Sequence, residues 1–167
     1  MRILLWLYLL PFGAHTVQTY DMSKIRGLYQ HAPEFKKDAV ELNDLMHQVD
    51  SGSAAPVLVC YKGANQMIQA KYHFNPFTKF EDFNTGKVLI QKAIARDKFN
   101  LEIHFIRYSI QSNLPAFLGY HDDLKTDKQF LLNNTKSSKD PELKKMIFDY
   151  LSGLSDIKPD ELKQLKN

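Results

Sequence analysis

Histidine and cysteine are the side chains of this 167-residue chain best suited to acid–base, nucleophilic or metal chemistry. No two histidines stand four residues apart and no HExxH sequence occurs, so the usual spacing of a helical zinc site is missing. The sequence also has no CxxCH, no glycine-rich phosphate loop and no GxSxG motif. It therefore predicts a protein with no metal site, no cofactor and no catalytic residues.

The densest group of possible metal ligands is His121-Asp122-Asp123. Three adjacent residues rarely converge on one ion, whereas aspartates suit the start of a helix, so we interpret this group as a helix N-terminus beside a surface imidazole. The single cysteine, Cys60, falls on an apolar helix face with no histidine or second cysteine to activate it. We expect it to be a small core residue.

An enzymatic alternative stays open at this point. A small helical hydrolase or lyase could use His73, His104 or His121 together with Glu102 or Asp122. His104 and Glu102 are two residues apart, so they point to different sides of a helix and cannot form a pair there.

Aromatic residues are concentrated between positions 72 and 83, where they alternate with polar side chains. They are Tyr72, His73, Phe74, Phe77, Phe80 and Phe83. Such rings can fill the space between two helices as ordinary core, or they can form the floor of an exposed groove that binds a partner.

A second aromatic stretch could line the same groove. It consists of Phe105, Tyr108, Phe117 and Tyr120. Arg107 lies within this stretch and is either a carboxylate-binding residue or a charge that lies on the surface or behind the residues of the groove. The candidate binding residues are accordingly Tyr72, His73, Phe74, Phe77, Phe80, Arg107 and Tyr120.

The elements that must position these residues are helical. Apolar residues recur every three to four positions, as in the stripe of Phe35, Ala39, Leu42, Leu45, Met46 and Val49. No segment alternates with period two for long enough to indicate a strand, and glycine and proline number only 7 each. The sequence predicts an all-α, single-domain antiparallel bundle of about seven helices over residues 21–167.

Local signals mark several helix ends. Asp21 and Asp140-Pro141 are typical of helix starts, and Pro33 is placed in the first turn of a second helix. Gly119 is expected to end a helix in the left-handed region. Asn75-Pro76 interrupts the pattern, which predicts a long loop over residues 72–78.

The N-terminus has the order of a secretory signal peptide. Arg2 precedes an apolar run over residues 3–10, which Pro11 and Gly13 then break. The run is shorter than the ~20 residues that span a bilayer, and no cysteine offers a lipid site. We predict a signal peptide over residues 1–20, cleaved between about 14 and 20, and an exported protein in the periplasm or extracellular space with no permanent membrane span.

The net charge of +3 arises from lysines and acids that are interleaved along the whole chain. A nucleic-acid site normally concentrates basic residues on one face. This distribution, together with export, predicts no nucleic-acid partner.

Residues 86–100 carry a resemblance to a known repeat. Gly86, Ile90 and Ala93 are spaced as on the second helix of a tetratricopeptide repeat, and residues 96–100, RDKFN, resemble its inter-repeat turn. Lys98 stands where that family prefers proline, and only one such unit is visible. Helix pairs of that family usually bind peptides or proteins, so the resemblance implies a role in interaction.

The leader, residues 71–87 and residues 102–120 together resemble a group of uncharacterised exported helical proteins of Bacteroidetes-type bacteria. That resemblance implies no activity. We therefore expect a non-catalytic exported protein that binds a protein or a cell-envelope component. A structural accessory of an envelope system is a further alternative.

Overall fold

The computed structural model describes residues 19–166, and every regular element in that part is helical. The helices are α1 (Met22–His31), α2 (Lys36–His47), α3 (Pro56–Tyr72), α4 (Pro76–Arg96), α5 (Leu101–Asn113), a 3-10 helix (Ala116–Leu118), α6 (Leu124–Asn134), α7 (Pro141–Ser152) and α8 (Pro159–Lys166). The predicted all-α class is confirmed, with eight α-helices where about seven were expected. The predicted signal peptide lies outside the described residues, apart from Thr19 and Tyr20.

Within residues 19–166, no helix is both long and apolar enough to cross a membrane.

Side-chain caps begin several helices as the sequence predicts. Asp21 accepts a hydrogen bond from the Lys24 amide at 3.1 Å, and Asp140 accepts one from the Leu143 amide at 3.0 Å. Each cap satisfies an amide that has no partner inside its helix. Gly119 follows the 3-10 helix with φ of 60°, the left-handed conformation that glycine adopts without strain.

Two expectations about helix limits were wrong. Pro33 lies in the turn after α1, and α2 begins only at Lys36. The long loop expected over residues 72–78 is a short turn over residues 73–75, because the Asn75-Pro76 pair starts α4. The Asn75 side chain accepts from the Phe77 amide at 2.9 Å, and Pro76 occupies the first turn, where its missing N–H costs nothing.

Helices α3 and α4 therefore form a tight antiparallel hairpin. Its closest point is Gly63 against Gly86, where a Cβ on Gly86 would lie 2.5 Å from the Gly63 carbonyl oxygen. Ile90 and Ala93, on the same face of α4, are fully buried. The predicted packing face of α4 is confirmed, and only glycine permits this backbone approach.

The core lies around α3 and α5, each of which carries more buried residues than any other described helix. Cys60 on α3 is fully buried, as predicted, and burial raises the pKa of its thiol. Tyr61, beside it, packs its ring edge-on against Tyr29 of α1 with 5.4 Å between the ring centroids. Helices α3 and α5 thus form the centre against which most of the other described helices pack.

Candidate functional site

Three phenylalanines project from the surface at the α3–α4 turn. Phe74 is 99% exposed, Phe77 is 83% exposed and Phe80 is 66% exposed. Phe77 and Phe80 are three residues apart on α4, so they are neighbours on its surface, and Phe77 lies on the side opposite Gly86. We call these three residues the aromatic ridge. They are neither core nor the floor of a groove, but a raised apolar surface.

The backbone that carries the aromatic ridge is tied to the rest of the fold. The Tyr72 hydroxyl donates to the Ala32 carbonyl at 2.7 Å, which joins the end of α3 to the α1–α2 turn. His73 Nε2 lies 3.1 Å from Asp82 Oδ2, which links the α3–α4 turn to the second turn of α4. Tyr72 and His73 therefore support the turn rather than extend the exposed apolar surface.

Tyr120 is a core residue, since it is only 1% exposed. Its ring packs edge-on against half-buried Phe83, with centroids 6.2 Å apart, and Lys87 Nζ lies 5.0 Å from its centroid. Burial raises the pKa of Tyr120 to about 12. The structure thus places Tyr120 in the core, packed against Phe83 and Lys87 of α4, and apart from the exposed phenylalanines.

Arg107 is buried as well, so it lies neither on the surface nor among the exposed phenylalanines. Its Nε and Nη2 donate to the two carboxylate oxygens of Asp127, each at 2.7 Å, and Asp127 is fully buried. Asp123 adds an ion pair at 3.1 Å. Burial opposes the charge of Arg107, but these carboxylates outweigh it and raise the pKa. The guanidinium is occupied in joining α5 to α6.

His104 belongs to the same buried cluster. Its Nδ1 lies 2.6 Å from Asp127 Oδ1 and its Nε2 lies 2.9 Å from the Lys98 carbonyl oxygen. The imidazole also stacks on Phe130, with 3.9 Å between ring centroids. Both ring nitrogens are thus engaged inside the protein, and the partner of His104 is Asp127 rather than Glu102.

Glu102 stands at the centre of a second buried cluster. Arg26 Nε and Nη2 donate to its two oxygens, both at 2.8 Å, and the Tyr61 hydroxyl donates to it at 2.6 Å. Arg26 reaches two further carboxylates, Asp140 at 2.7 Å and Glu142 at 2.9 Å. The hydrogen bonds to Glu102 raise the pKa of Arg26 despite its burial. This cluster joins α1, α3, α5 and α7.

The His121-Asp122-Asp123 group does not converge on one point. His121 Nε2 lies 3.0 Å from the Leu114 carbonyl oxygen, whereas Asp123 accepts from the Gln111 amide group at 3.1 Å. Throughout residues 19–166, no three His, Cys, Asp or Glu side chains are grouped so that they could hold a metal ion.

The second aromatic stretch is divided between core and surface. Phe105 and Tyr108 are buried and pack edge-on against Tyr150 of α7, with centroids 5.5 and 6.3 Å apart. Phe117, on the 3-10 helix, is 86% exposed. Only Phe117 of this stretch therefore presents an aromatic surface to a partner.

Sequence reasoning missed the acids that hold the buried clusters. Asp127 lies three residues after Leu124 and four before Leu131, so it falls on the buried stripe of α6. A charge on such a stripe indicates a buried ion pair, and that signal was present in the sequence. The link between Arg26 and Glu102, 76 residues apart, left no comparable local signal.

These observations define a helical protein with two buried ion-pair clusters and one exposed aromatic ridge. In comparisons with family models, curated proteins and solved structures, nothing matches the chain.

Proposed function

We propose that the protein is an exported, non-catalytic binding module whose aromatic ridge inserts into an apolar pocket of a protein partner. The single observation that carries the proposal is the exposure of Phe74, in the α3–α4 turn, and of Phe77 and Phe80, at the start of α4. Aromatic side chains that fill a partner's pocket provide much of the energy of protein interfaces. Leaving three such rings in water is unfavourable for the isolated protein, which supports a role in recognition.

The rigidity of the turn supports the same proposal. The Tyr72–Ala32 hydrogen bond and the Asn75 cap fix the backbone on both sides of Phe74. A surface that is ordered before binding loses little conformational entropy when it binds. The raised shape of the aromatic ridge favours a partner with a concave apolar site.

The histidine-based alternative is favoured less by the geometry. His104 is buried with Asp127, and Glu102 is engaged by Arg26 and Tyr61. His121 faces a backbone carbonyl. None of these three side chains has its acid–base atoms directed at a shared open site.

The test is site-specific photo-crosslinking in the native host. A benzoylphenylalanine at position 77 should form one discrete protein adduct in the exported fraction, because Phe77 would lie inside the partner's pocket. The same group at position 99 is the matched control, since Phe99 is also a strongly exposed phenylalanine but lies at the other end of α4. Adding Phe74→Ser and Phe80→Ser should abolish the adduct at position 77.

Three results would contradict the proposal. Equal amounts of the same adduct from positions 77 and 99 would mean that the partner does not bind specifically at the aromatic ridge. Adducts with lipid in place of protein would assign the ridge to a membrane surface. An adduct confined to the cytoplasm, on a chain that keeps Met1, would contradict export.

A further inference from the structure

A second feature lies away from the aromatic ridge and shares no residue with it. A half-open cleft of about 540 Å³ separates α5, the start of α6 and the α7–α8 turn. Its lining residues are Tyr108, Ser112, Leu124, Lys125, Lys128, Leu154, Ser155 and Asp156. We call it the Tyr108 cleft. Its size is in the range of clefts that hold small molecules.

The floor of the Tyr108 cleft carries a hydroxyl without a partner. Tyr108 is 2% exposed, and its side chain takes part in a ring contact with Tyr150 but in no hydrogen bond to any residue from 19 to 166. The hydroxyl oxygen itself is not fully buried, so it is still accessible to solvent. Buried Tyr29 and Tyr61 do find partners, Ser109 and Glu102, each at 2.6 Å, whereas the Tyr120 hydroxyl is unpaired but sealed from solvent. An unpaired polar group at the bottom of a cleft is available to a ligand.

This hydroxyl is a donor. Burial is the main cause that raises the pKa of Tyr108, followed by the nearby negative charge of Asp156, so the group keeps its proton at neutral pH. A protonated phenol that lines a cleft can donate to an oxygen of an anionic ligand.

The charged residues that line the cleft are Lys125, Lys128 and Asp156, two cations and one anion, so they sum to one net positive charge. Lys125 is exposed and has no ion-pair partner in the described part of the chain. Lys128 is already engaged, 3.3 Å from Glu161 Oε2 and 3.0 Å from the Asp156 carbonyl oxygen. The Asp156 carboxylate is 67% exposed and lies 3.9 Å from Lys128, so it can turn away into water. Lys125 thus provides the uncompensated positive charge.

The walls are partly apolar. Leu124 and Leu154 are half-buried, and they line the cleft from α6 and from the α7–α8 turn. An inorganic ion would leave these side chains without a contact, whereas an organic acid would cover them.

We propose that the Tyr108 cleft binds a small carboxylate that carries an apolar group. The carboxylate accepts from the Tyr108 hydroxyl and pairs with Lys125, and the apolar group packs between Leu124 and Leu154. This site is independent of the aromatic ridge, so either proposal can fail without affecting the other.

The test is an NMR titration of the ¹⁵N-labelled protein with phenylacetate as the probe. Amide shifts should move at residues 124–125 and 154–156 and stay constant at residues 74–80. The uncharged 2-phenylethanol and inorganic phosphate are the comparison probes, and each should bind more weakly than phenylacetate. Tyr108→Phe should weaken phenylacetate binding about tenfold, the effect of losing a hydrogen bond to a charged group.

Lys125→Gln should weaken binding about threefold, as expected for a solvent-exposed ion pair. The matched control is Lys139→Gln, which removes the same charge from an exposed site outside the cleft and should leave binding unchanged. Thermal melting checks that Tyr108→Phe still folds. If Tyr108→Phe does not fold, the loss of phenylacetate binding in Lys125→Gln tests the site instead.

Binding of 2-phenylethanol as strong as that of phenylacetate would overturn the need for a carboxylate. Phosphate binding without phenylacetate binding would overturn the apolar part of the ligand. An equal loss from Lys139→Gln and Lys125→Gln, or no shift at residues 124–125 and 154–156, would overturn the site.

Discussion

The two halves of helix α4 differ although they belong to one continuous helix. In the second half, Gly86 contacts the backbone of α3, and Ile90 and Ala93 are fully buried. In the first half, Phe77 and Phe80 extend into water. Large apolar side chains are thus placed where they add little to stability, and the smallest residue is placed where packing is tightest.

The second half of α4 packs against α3, whereas the first half carries the exposed phenylalanines. The Gly63–Gly86 contact holds the two helices at a fixed distance, and that contact determines where the aromatic ridge lies. Because the ridge does not contribute to the core, its residues can be exchanged without loss of the fold. Residues 86, 83 and 80, spaced by three along α4, therefore form a graded series from core to surface.

The largest effect is expected at the tight end. In Gly86→Leu the new Cβ would lie 2.5 Å from the Gly63 carbonyl oxygen and 2.6 Å from Met67 Cγ, and the backbone oxygen can retreat only if the helices separate. The free energy of unfolding should fall by about 3 kcal/mol or more, measured by urea denaturation. Gly27→Leu is the matched control, because no atom lies within 4 Å of a Cβ at that position. A similar loss in both variants would show that the close approach is unimportant.

An intermediate effect is expected at Phe83, where the two halves meet. Phe83→Ala removes a half-buried ring and its edge-on contact with Tyr120 at 6.2 Å. The unfolding free energy should fall by about 2 kcal/mol, less than for a fully buried phenylalanine. The near-ultraviolet circular dichroism of the protein provides a second measurement, since the packing around the Tyr120 ring changes. Unchanged stability would mean that Phe83 lies outside the core, so that the buried part of α4 begins nearer to Gly86.

The smallest effect is expected on the aromatic ridge itself. Phe80→Ala should change the unfolding free energy by no more than about 0.5 kcal/mol, because the side chain is already 66% exposed. The same urea experiment measures it beside Phe83→Ala. A loss as large as that of Phe83→Ala would mean that Phe80 belongs to the core, and the division of α4 would then be wrong.

The sequence was sufficient for the helical class and for the buried face of α4. Three-to-four spacing determines which side chains share a face, so the packing of Gly86, Ile90 and Ala93 could be predicted directly. The loop predicted around Asn75-Pro76 is instead the start of α4. A proline that prevents one helix from continuing can equally occupy the first turn of the next helix. The choice depends on the neighbouring helix, which the local sequence does not show.

The candidate site could be predicted only in part. The cluster of phenylalanines was visible, but periodicity alone could not tell which of Phe74, Phe77 and Phe83 would be covered. Arg107 and Tyr120 are candidates for a binding groove because aromatic residues and arginine are favoured at interfaces. Their burial depends on Asp127 and Phe83, which tertiary packing brings next to them.

The burial of Cys60 has a consequence for how the protein responds to oxidising conditions. Its thiol is fully covered in the native state, and its raised pKa disfavours the reactive thiolate. Two chains can therefore become linked by a disulfide only while both are at least partly open. Covalent dimers would accumulate in proportion to the time that each chain spends unfolded. The amount of disulfide-linked dimer would therefore report the unfolded fraction of the protein.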